Sequence, residues 1–197
     1  MILVSHRRNT IEQLRETPTH YGVEVDIRSE GGRLIIHHDA FAGGEDFERW
    51  LDHYRHRLLI LNVKEEGLEQ RLLALMAAKK IDAFFFLDQS FPFLVKTARA
   101  GEKRTAVRVS EFESIDTAYA LAGKVGWIWI DCFTRFPVSG HEAAHLQSLG
   151  FKLCLVSPEL QGRTEGIPEL RALLAREGVK ADAVCTKRPE LWEKALD

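Results

Sequence analysis

The strongest constraint on the fold is a short apolar run that recurs eight times along the 197 residues, each time followed by an amphipathic segment. The runs are rich in β-branched and aromatic residues and are almost continuously apolar. They span residues 2–5, 22–27, 58–63, 83–87, 105–109, 127–130, 151–156 and 183–186. Such runs are typical of parallel strands that are covered on both faces. The pattern therefore predicts eight parallel strands, each followed by a helix.

The segments between the runs carry helical signals. Apolar residues share one face of residues 65–80 and of residues 167–178. Residues 9–12 and 139–142 have the composition of capping boxes, in which a polar side chain begins a helix. Gly31-Gly32, flanked by alternating apolar residues, predicts a hairpin turn after the second strand, with residues 34–38 as the returning strand.

Eight strand–helix alternations imply right-handed crossovers between parallel strands. A closed barrel explains the count better than an open doubly wound sheet, which remains the alternative. Open sheets usually have a glycine-rich first turn, and residues 5–10 contain no glycine. We therefore predict an α/β fold of the (β/α)₈ (TIM) barrel class with minimal loops and a small hairpin after strand 2, forming one domain over residues 1–197.

The composition restricts the binding partners and the cellular location that can be expected for the protein. A formal net charge of −2 and a pI near 6.5 give no electrostatic reason to expect nucleic acid as a partner. Three cysteines without zinc spacing are expected to be buried thiols in a reducing compartment. No segment approaches the roughly 18 apolar residues of a membrane helix, and no signal peptide is evident. The expected location is cytoplasmic, and the sequence leaves the oligomeric state open.

Polar residues interrupt the apolar runs repeatedly at the carboxyl ends of the predicted strands, where barrel active sites lie. Glu24 and Asp26 are two residues apart on one strand, so their side chains share a face. Two adjacent carboxylates repel unless a proton or cation lies between them, and Mg²⁺ or Ca²⁺ prefers such oxygen ligands. The alternatives are one inward acid with ordinary salt-bridge partners, or a strand that is exposed on one face.

Other strand-end residues complete the predicted site. His6 and His38 are the candidate proton carriers, and alternation along the strand turns the adjacent His37 away from the axis. Arg7 and Lys64 supply positive charge of the kind that phosphate needs. Further candidate contacts to a substrate are Asp39, Asp88, Arg108, Glu111, Asp131, Glu159 and Lys187.

These residues resemble the motifs of the glycerophosphodiester phosphodiesterases, in order and along essentially the whole chain. Ser5-His6-Arg7 resembles the His-Arg opening of that family, and residues 22–28 resemble its Glu-x-Asp strand. Residues 34–39 resemble the His-Asp that ends its hairpin. Further matches lie at residues 61–64, 88–91 and 185–189.

The resemblance implies a barrel enzyme, a phosphoric diester hydrolase of lipid metabolism, that uses a divalent metal, Mg²⁺ or Ca²⁺, and two histidines as acid and base. By position, His6 and His38 would be catalytic, while Glu24, Asp26 and Asn62 would hold the metal. Arg7 and Lys64 would bind the phosphoryl oxygens of a small-molecule phosphodiester.

The chain departs from the family pattern at several positions. Asn62 replaces the usual third acidic ligand, and Lys187 stands where the family tends to have an acid. A Pro-Glu stretch is absent after His6-Arg7, and the insertion after His38-Asp39 is short. Two alternatives to hydrolysis follow: a catalytically weak barrel that binds a phosphorylated ligand, and a lyase that ends at a cyclic phosphate.

Overall fold

The computed structural model describes residues 1–193, so the last four residues of the predicted 1–197 domain lie outside the described residues. The strands in chain order are β1 Ile2–Ser5, β2 Gly22–Glu30, β3 Arg33–Ile36, β4 Glu45–Asp46, β5 Leu59–Val63, β6 Phe84–Leu87, β7 Ala106–Val109, β8 Trp127–Ile130, β9 Lys152–Val156 and β10 Ala183–Thr186. The α-helices are α1 Ile11–Glu16, α2 Phe47–Leu51, α3 Glu69–Ala78, α4 Phe91–Arg99, α5 Ile115–Ala120, α6 Gly140–Ser148, α7 Gly166–Glu177 and α8 Pro189–Glu193. A 3₁₀ helix spans Pro158–Gln161.

All eight predicted strands are present and parallel. Seven regular ladders join β1 to β2, β2 to β5, β5 to β6, β7 to β8, β8 to β9, β9 to β10, and β10 to β1. The parallel strands follow one another in chain order around the sheet, which a doubly wound sheet does not do. The prediction of repeated βα units is confirmed.

The junction between β6 and β7 differs from the other seven. Here the structure has one isolated bridge, Phe86 to Thr105, and one hydrogen bond of 2.9 Å from the Phe86 N–H to the Arg104 carbonyl. The curled sheet therefore lacks the eighth ladder of the regular closed barrel that the sequence predicted. Strand length does not account for this, because β1 and β10 also have four residues each and form a ladder of four residue pairs.

The predicted hairpin after the second strand is confirmed, but its returning strand ends at Ile36 and not at His38, so the alternation predicted for His37 and His38 does not apply. β2 extends beyond the sheet to Glu30 and pairs antiparallel with β3. Gly31 and Gly32 both have positive φ, 54° and 79°, as a tight hairpin turn between right-twisted strands requires. The short α2 follows, and its fully buried Trp50 donates from Nε1 to the Arg8 carbonyl at 3.0 Å, which fixes the loop after β1.

Alternate residues of the strands supply two kinds of core. Outward residues pack under the helices in two clusters, one from residues 14–86 and one from residues 94–192. Inward residues of seven parallel strands, among them Val4, Ile60, Phe85 and Cys185, form the interior cluster. All three cysteines are buried free thiols, as expected. Within residues 1–193, no helix has the length and apolarity needed to cross a bilayer.

Two predicted helix starts differ from the structure. The first capping box begins at Thr10 and closes on Gln13, so the prediction of a box over residues 9–12 was wrong by one residue. The box at Ser139 and Glu142 is confirmed. α3 begins at Glu69 rather than at residue 65, because residues 64–68 form the loop after β5.

Candidate functional site

The carboxylates of Glu24 and Asp26 lie inside the curled sheet and are fully buried, each 0% exposed. They alternate on β2 with Val23, Val25 and Ile27, which point outward into the apolar layer under the helices. The parallel register pairs Asp26 with Asn62 of β5. The shared face of the two acids, predicted from their spacing, is confirmed.

Glu24 is held by groups from both neighbouring strands. Its Oε1 accepts a hydrogen bond of 2.9 Å from Asn62 Nδ2, and its Oε2 accepts one of 2.8 Å from the backbone N–H of Arg7. Burial, followed by the charge of Asp26, raises the pKa of Glu24 above its ordinary value. A buried acid with this environment needs a compensating cation or a proton.

Asp26 receives positive charge from two side chains and is braced by a third. Lys64 Nζ lies 3.3 Å from Oδ1, and Arg7 Nε lies 3.6 Å from Oδ2. Asn9 contacts the aspartate twice: its Nδ2 donates to Oδ2 at 2.9 Å, and its Oδ1 accepts from the Asp26 N–H at 3.1 Å. The amide of Asn9 thus fixes the rotamer of the acid relative to its own strand.

His6 lies beside the two acids at the end of β1. Its Nε2 is 3.7 Å from Glu24 Oε2, and its buried Nδ1 has no hydrogen-bond partner. Burial, followed by the charges of Arg7 and Lys187, lowers the pKa of His6 to about 3. The imidazole is therefore neutral at physiological pH and can accept a proton.

Two residues of the site have strained backbones. Arg7 and Asp88, which follow β1 and β6, have φ of 51° and 57°, a region that residues with a Cβ rarely adopt. Such strain costs on the order of 1–3 kcal/mol and is concentrated at functional sites. At Arg7 the conformation aims the N–H at Glu24 while the guanidinium reaches Asp26.

An ion-pair network extends from Lys64 across the ends of β6, β7 and β8. Lys64 Nζ is 3.6 Å from Asp88 Oδ2, and Asp88 also pairs with Arg108. Arg108 NH1 donates to Asp131 Oδ2 at 2.7 Å, and Asp131 Oδ1 accepts from Gln161 Nε2 at 2.7 Å. Three predicted contact residues, Asp88, Arg108 and Asp131, are thereby connected to the Asp26 side of the site.

Glu159 and Lys187 belong to a second group at the ends of β9 and β10. Glu159 accepts hydrogen bonds from the Thr186 hydroxyl at 2.5 Å, from the Lys187 N–H at 2.9 Å and from the Ser157 hydroxyl. These bonds fix the loop after β10. The Lys187 side chain is exposed, and its charge acts on His6.

Glu111 has contacts of a different kind. Its carboxylate accepts from the N–H groups of Phe133, Thr134 and Arg135 at 2.6–3.1 Å. Although burial raises its pKa, these backbone hydrogen bonds outweigh that effect and lower the pKa of Glu111 to about 2. Glu111 therefore stabilises the loop after β8.

His38 and Asp39 lie on the loop after β3, outside the buried group. His38 Nδ1 is 2.8 Å from Asp39 Oδ1, and the His38 side chain is 39% exposed. Its carbonyl accepts a hydrogen bond of 2.9 Å from Arg28 NH2. His37 Nδ1 instead accepts from the Asp39 N–H at 3.0 Å, within the same turn. The described contacts of His38 do not include His6, Glu24 or Asp26.

The oxygen donors of the site fit a hard divalent cation. Asn62 Oδ1 is buried and accepts no hydrogen bond, and the buried Asp26 Oδ1 has the Lys64 ammonium 3.3 Å away but likewise accepts no hydrogen bond. Unsatisfied buried oxygens are costly, and Mg²⁺ or Ca²⁺ binds carboxylate and amide oxygens. Over residues 1–193, no group of three or more His, Cys, Asp or Glu side chains is placed to hold a metal, so the amide would be the third donor.

Sequence reasoning missed two residues of this site. Asn9 was assigned to a capping box, yet it braces Asp26, and Gln161 was assigned no role, yet it binds Asp131. The signal for Asn9 was present, since Thr10 and Gln13 already satisfy the helix start without it. Nothing in the sequence near Gln161 indicates its contact, because its partner is 30 residues away.

Comparison with known proteins gives structural matches without sequence matches. No family model and no curated protein matches this sequence. A glycerophosphodiester phosphodiesterase from Agrobacterium tumefaciens str. C58 superposes with a TM-score of 0.71 at 15% identity, over 98% of this chain and 99% of that chain. A glycerophosphoryl diester phosphodiesterase from Parabacteroides distasonis ATCC 8503 superposes with a TM-score of 0.66 at 14% identity, over 96% of this chain and 84% of that chain. The resemblance inferred from the motifs is thus confirmed at the level of the fold.

Proposed function

We propose that this protein hydrolyses a phosphodiester of the glycerophosphodiester type. The observation that carries the proposal is the convergence of His6, Arg7, Glu24, Asp26 and Lys64 within hydrogen-bond or ion-pair distance of one another. The whole-chain likeness to two phosphodiesterase structures supports it. The proposal treats the curled sheet as a (β/α)₈ barrel with its site at the carboxyl ends of the strands.

Glu24, Asp26 and Asn62 would hold the divalent metal, Mg²⁺ or Ca²⁺, with water completing its shell. When bound, the metal would neutralise charge on the transferring phosphoryl group. Asn62 offers an amide oxygen where a carboxylate would add a negative charge, so binding should be weak. Asn9 would keep Asp26 in position with or without the metal, because its two hydrogen bonds are to the Asp26 N–H and to Oδ2.

Arg7 and Lys64 would bind the phosphoryl oxygens. Arg7 Nε lies 3.6 Å from Asp26 Oδ2, and Lys64 Nζ lies 3.3 Å from Asp26 Oδ1. Two positive charges therefore lie beside the same carboxylate. A guanidinium provides a fork of donors for phosphate, whereas an ammonium provides a compact charge. The second ion pair of Lys64, with Asp88, limits how far its side chain can move.

His6 and His38 would exchange protons with the attacking and leaving oxygens. Burial keeps His6 neutral in the free protein, and an anionic phosphate beside it would raise its pKa toward neutrality, where a general base works best. The Asp39 carboxylate beside His38 Nδ1 orients the second imidazole with Nε2 outward, as a general acid requires. His38 would have to approach the site from its exposed loop when substrate binds.

A phosphodiester screen with Mg²⁺ or Ca²⁺, followed by three alanine variants, tests the proposal. His6→Ala and His38→Ala should each reduce turnover by a factor on the order of 10²–10⁴ while the fold is retained. His37→Ala is the matched control and should cost little, because the hydrogen bonds of the His37 ring to the described residues lie within its own turn. Loss of activity in the control alone would place the hairpin register one residue off. Full activity in all three variants would refute the two-histidine mechanism.

A binding protein is the second candidate function. Asn62 donates to Glu24 and Lys64 lies against Asp26, so both carboxylates have compensating partners from the chain itself. This candidate predicts tight binding of a phosphate ester without divalent cations and no product. Phosphorus NMR of the reaction mixture separates the outcomes, because a linear monoester indicates hydrolysis and a cyclic phosphate indicates a lyase.

A further inference from the structure

A cavity of about 640 Å³ opens at the junction where β6 and β7 lack a ladder. It lies between α4 and α5, and its volume is within the range of small-molecule sites. Its floor touches Leu87 and Ala106, which belong to the interior core, as well as Leu94 and Val107, which belong to an outer core. The cavity thus touches residues of both cores at the junction where β6 and β7 are not paired along their length.

The rim of the cavity is aromatic and exposed. Phe91, at the start of α4, is 53% exposed, and Phe112, in the loop after β7, is 79% exposed. Both line the cavity, and the Phe112 ring packs against the ring of Phe133 with centroids 5.5 Å apart. Covering an exposed phenylalanine with an apolar group removes apolar surface from water and therefore favours binding.

The charged groups in the cavity wall are already paired with one another. Asp88 pairs with Lys64 and Arg108, while Arg108 also pairs with Asp131 and with Glu113. Glu113 accepts a further hydrogen bond of 2.7 Å from the Ser110 hydroxyl. The apolar side chains of the wall can contact a ligand, whereas these charged side chains already form ion pairs. The cavity therefore favours a neutral, apolar ligand group.

The cavity adjoins the proposed site through a single side chain. Lys64 contacts Asp26 on one side and the wall residue Asp88 on the other. A phosphate bound at Lys64 would therefore hold its ester chain toward the cavity. We propose that the cavity receives an alkyl or acyl chain of the substrate, so that the preferred phosphodiesters carry one apolar chain, as monoacyl phospholipids do. This inference rests on the proposed phosphodiesterase function.

The test compares glycerophosphocholine with its 1-hexanoyl and 1-octanoyl forms, each as monomers below its micellar concentration, by loss of the diester signal in phosphorus NMR. Burial of chain methylenes should raise kcat/KM by roughly two- to fourfold for each carbon, hence by about 100-fold or more for the octanoyl form. Equal or faster turnover of glycerophosphocholine would overturn the inference and leave the proposed function intact. No turnover of these diesters or of bis(4-nitrophenyl) phosphate would refute the proposed function itself.

Variants of residues that line the cavity test whether the acyl chain of the substrate binds there. Thr117→Trp fills the cavity from α5 and should flatten the dependence on chain length while turnover of glycerophosphocholine is retained. Phe112→Ser should weaken the same dependence, and because this side chain is exposed the variant should fold. Phe41→Ser is the matched control, since Phe41 is fully exposed but does not line this cavity. An equal effect of Phe41→Ser and Phe112→Ser would instead indicate a non-specific effect of losing an exposed phenyl group and would overturn the inference.

Discussion

Asn62 allows the sharpest test of the buried acid pair, because replacing it with aspartate changes one amide for a carboxylate of nearly the same shape. In the structure Asn62 Nδ2 donates to Glu24 Oε1 at 2.9 Å. Asn62→Asp removes this donor and brings two carboxylates into contact where Glu24 is fully buried. The variant should therefore be destabilised unless a cation lies between the acids.

The magnitude follows from two limits. Like charges about 4 Å apart repel by about 4 kcal/mol at an effective dielectric constant of 20. Glu24, whose pKa is already raised by burial, can take a proton at a much smaller cost than an acid with an ordinary pKa. We expect Asn62→Asp to lose roughly 1–3 kcal/mol of unfolding free energy at pH 7 in EDTA, because it removes a buried hydrogen-bond donor and adds a buried carboxylate. The deficit should shrink as the pH falls toward 4, because a raised pKa of the introduced acid favours the protonated native state.

Divalent cations should reverse the loss. At a concentration 100 times its dissociation constant, Mg²⁺ adds about 2.7 kcal/mol to the native state. The assay is urea unfolding followed by tryptophan fluorescence, in EDTA and in a Mg²⁺ series, beside Asn62→Leu. The leucine control lacks both donor and charge, so it should be destabilised by about 1–3 kcal/mol at every Mg²⁺ concentration. An aspartate variant as stable as the parent in EDTA, or one indifferent to Mg²⁺ and Ca²⁺, would refute the assignment of these residues as metal ligands.

Three further predictions concern residues outside the ligand set. Asn9→Ala should reduce turnover, and it should lower the free energy of unfolding by roughly 1–3 kcal/mol in urea, because Asp26 loses both hydrogen bonds to Asn9. Asn9→Ser keeps a donor and should retain more of the turnover and of the stability. Burial lowers the pKa of His56, so the native state should lose stability as the pH falls below about 6.5, and His56→Gln should lose less over the same range in pH-dependent urea unfolding. Glu111→Gln should speed hydrogen exchange at residues 133–135 and change KM little, whereas a large rise in KM would restore Glu111 as a substrate contact.

The positions of the strands, and the side of the sheet to which each side chain points, could be predicted because both depend on local sequence. Continuous apolar runs located all eight parallel strands, and the two-residue period placed Glu24 and Asp26 on the inner face. The parallel register with β5 then brought Asn62 beside them. Such features follow from alternation along single strands and from the order of the strands.

Contacts between distant loops could not be predicted in this way. The brace from Asn9 depends on a one-residue shift of the α1 cap, which a favourable Thr10–Gln13 box decides. The exposure of His38 depends on its bond to Asp39 and on the short path of the loop after β3. The missing ladder between β6 and β7 has no signature in the sequence of either strand, since the equally short β1 and β10 form a complete ladder.

That missing ladder makes the α4–β7 loop a natural place to divide the chain. Residues up to Arg99 include one outer core in full, and residues from Ala106 onward include nearly all of the other. The two segments would rejoin through the ladder of four residue pairs between β1 and β10 and through the shared interior. Two polypeptides cut at Gly101 should therefore reassociate into one folded molecule when mixed, and a circular permutant that begins at Lys103 should fold with its new ends at the junction of β6 and β7.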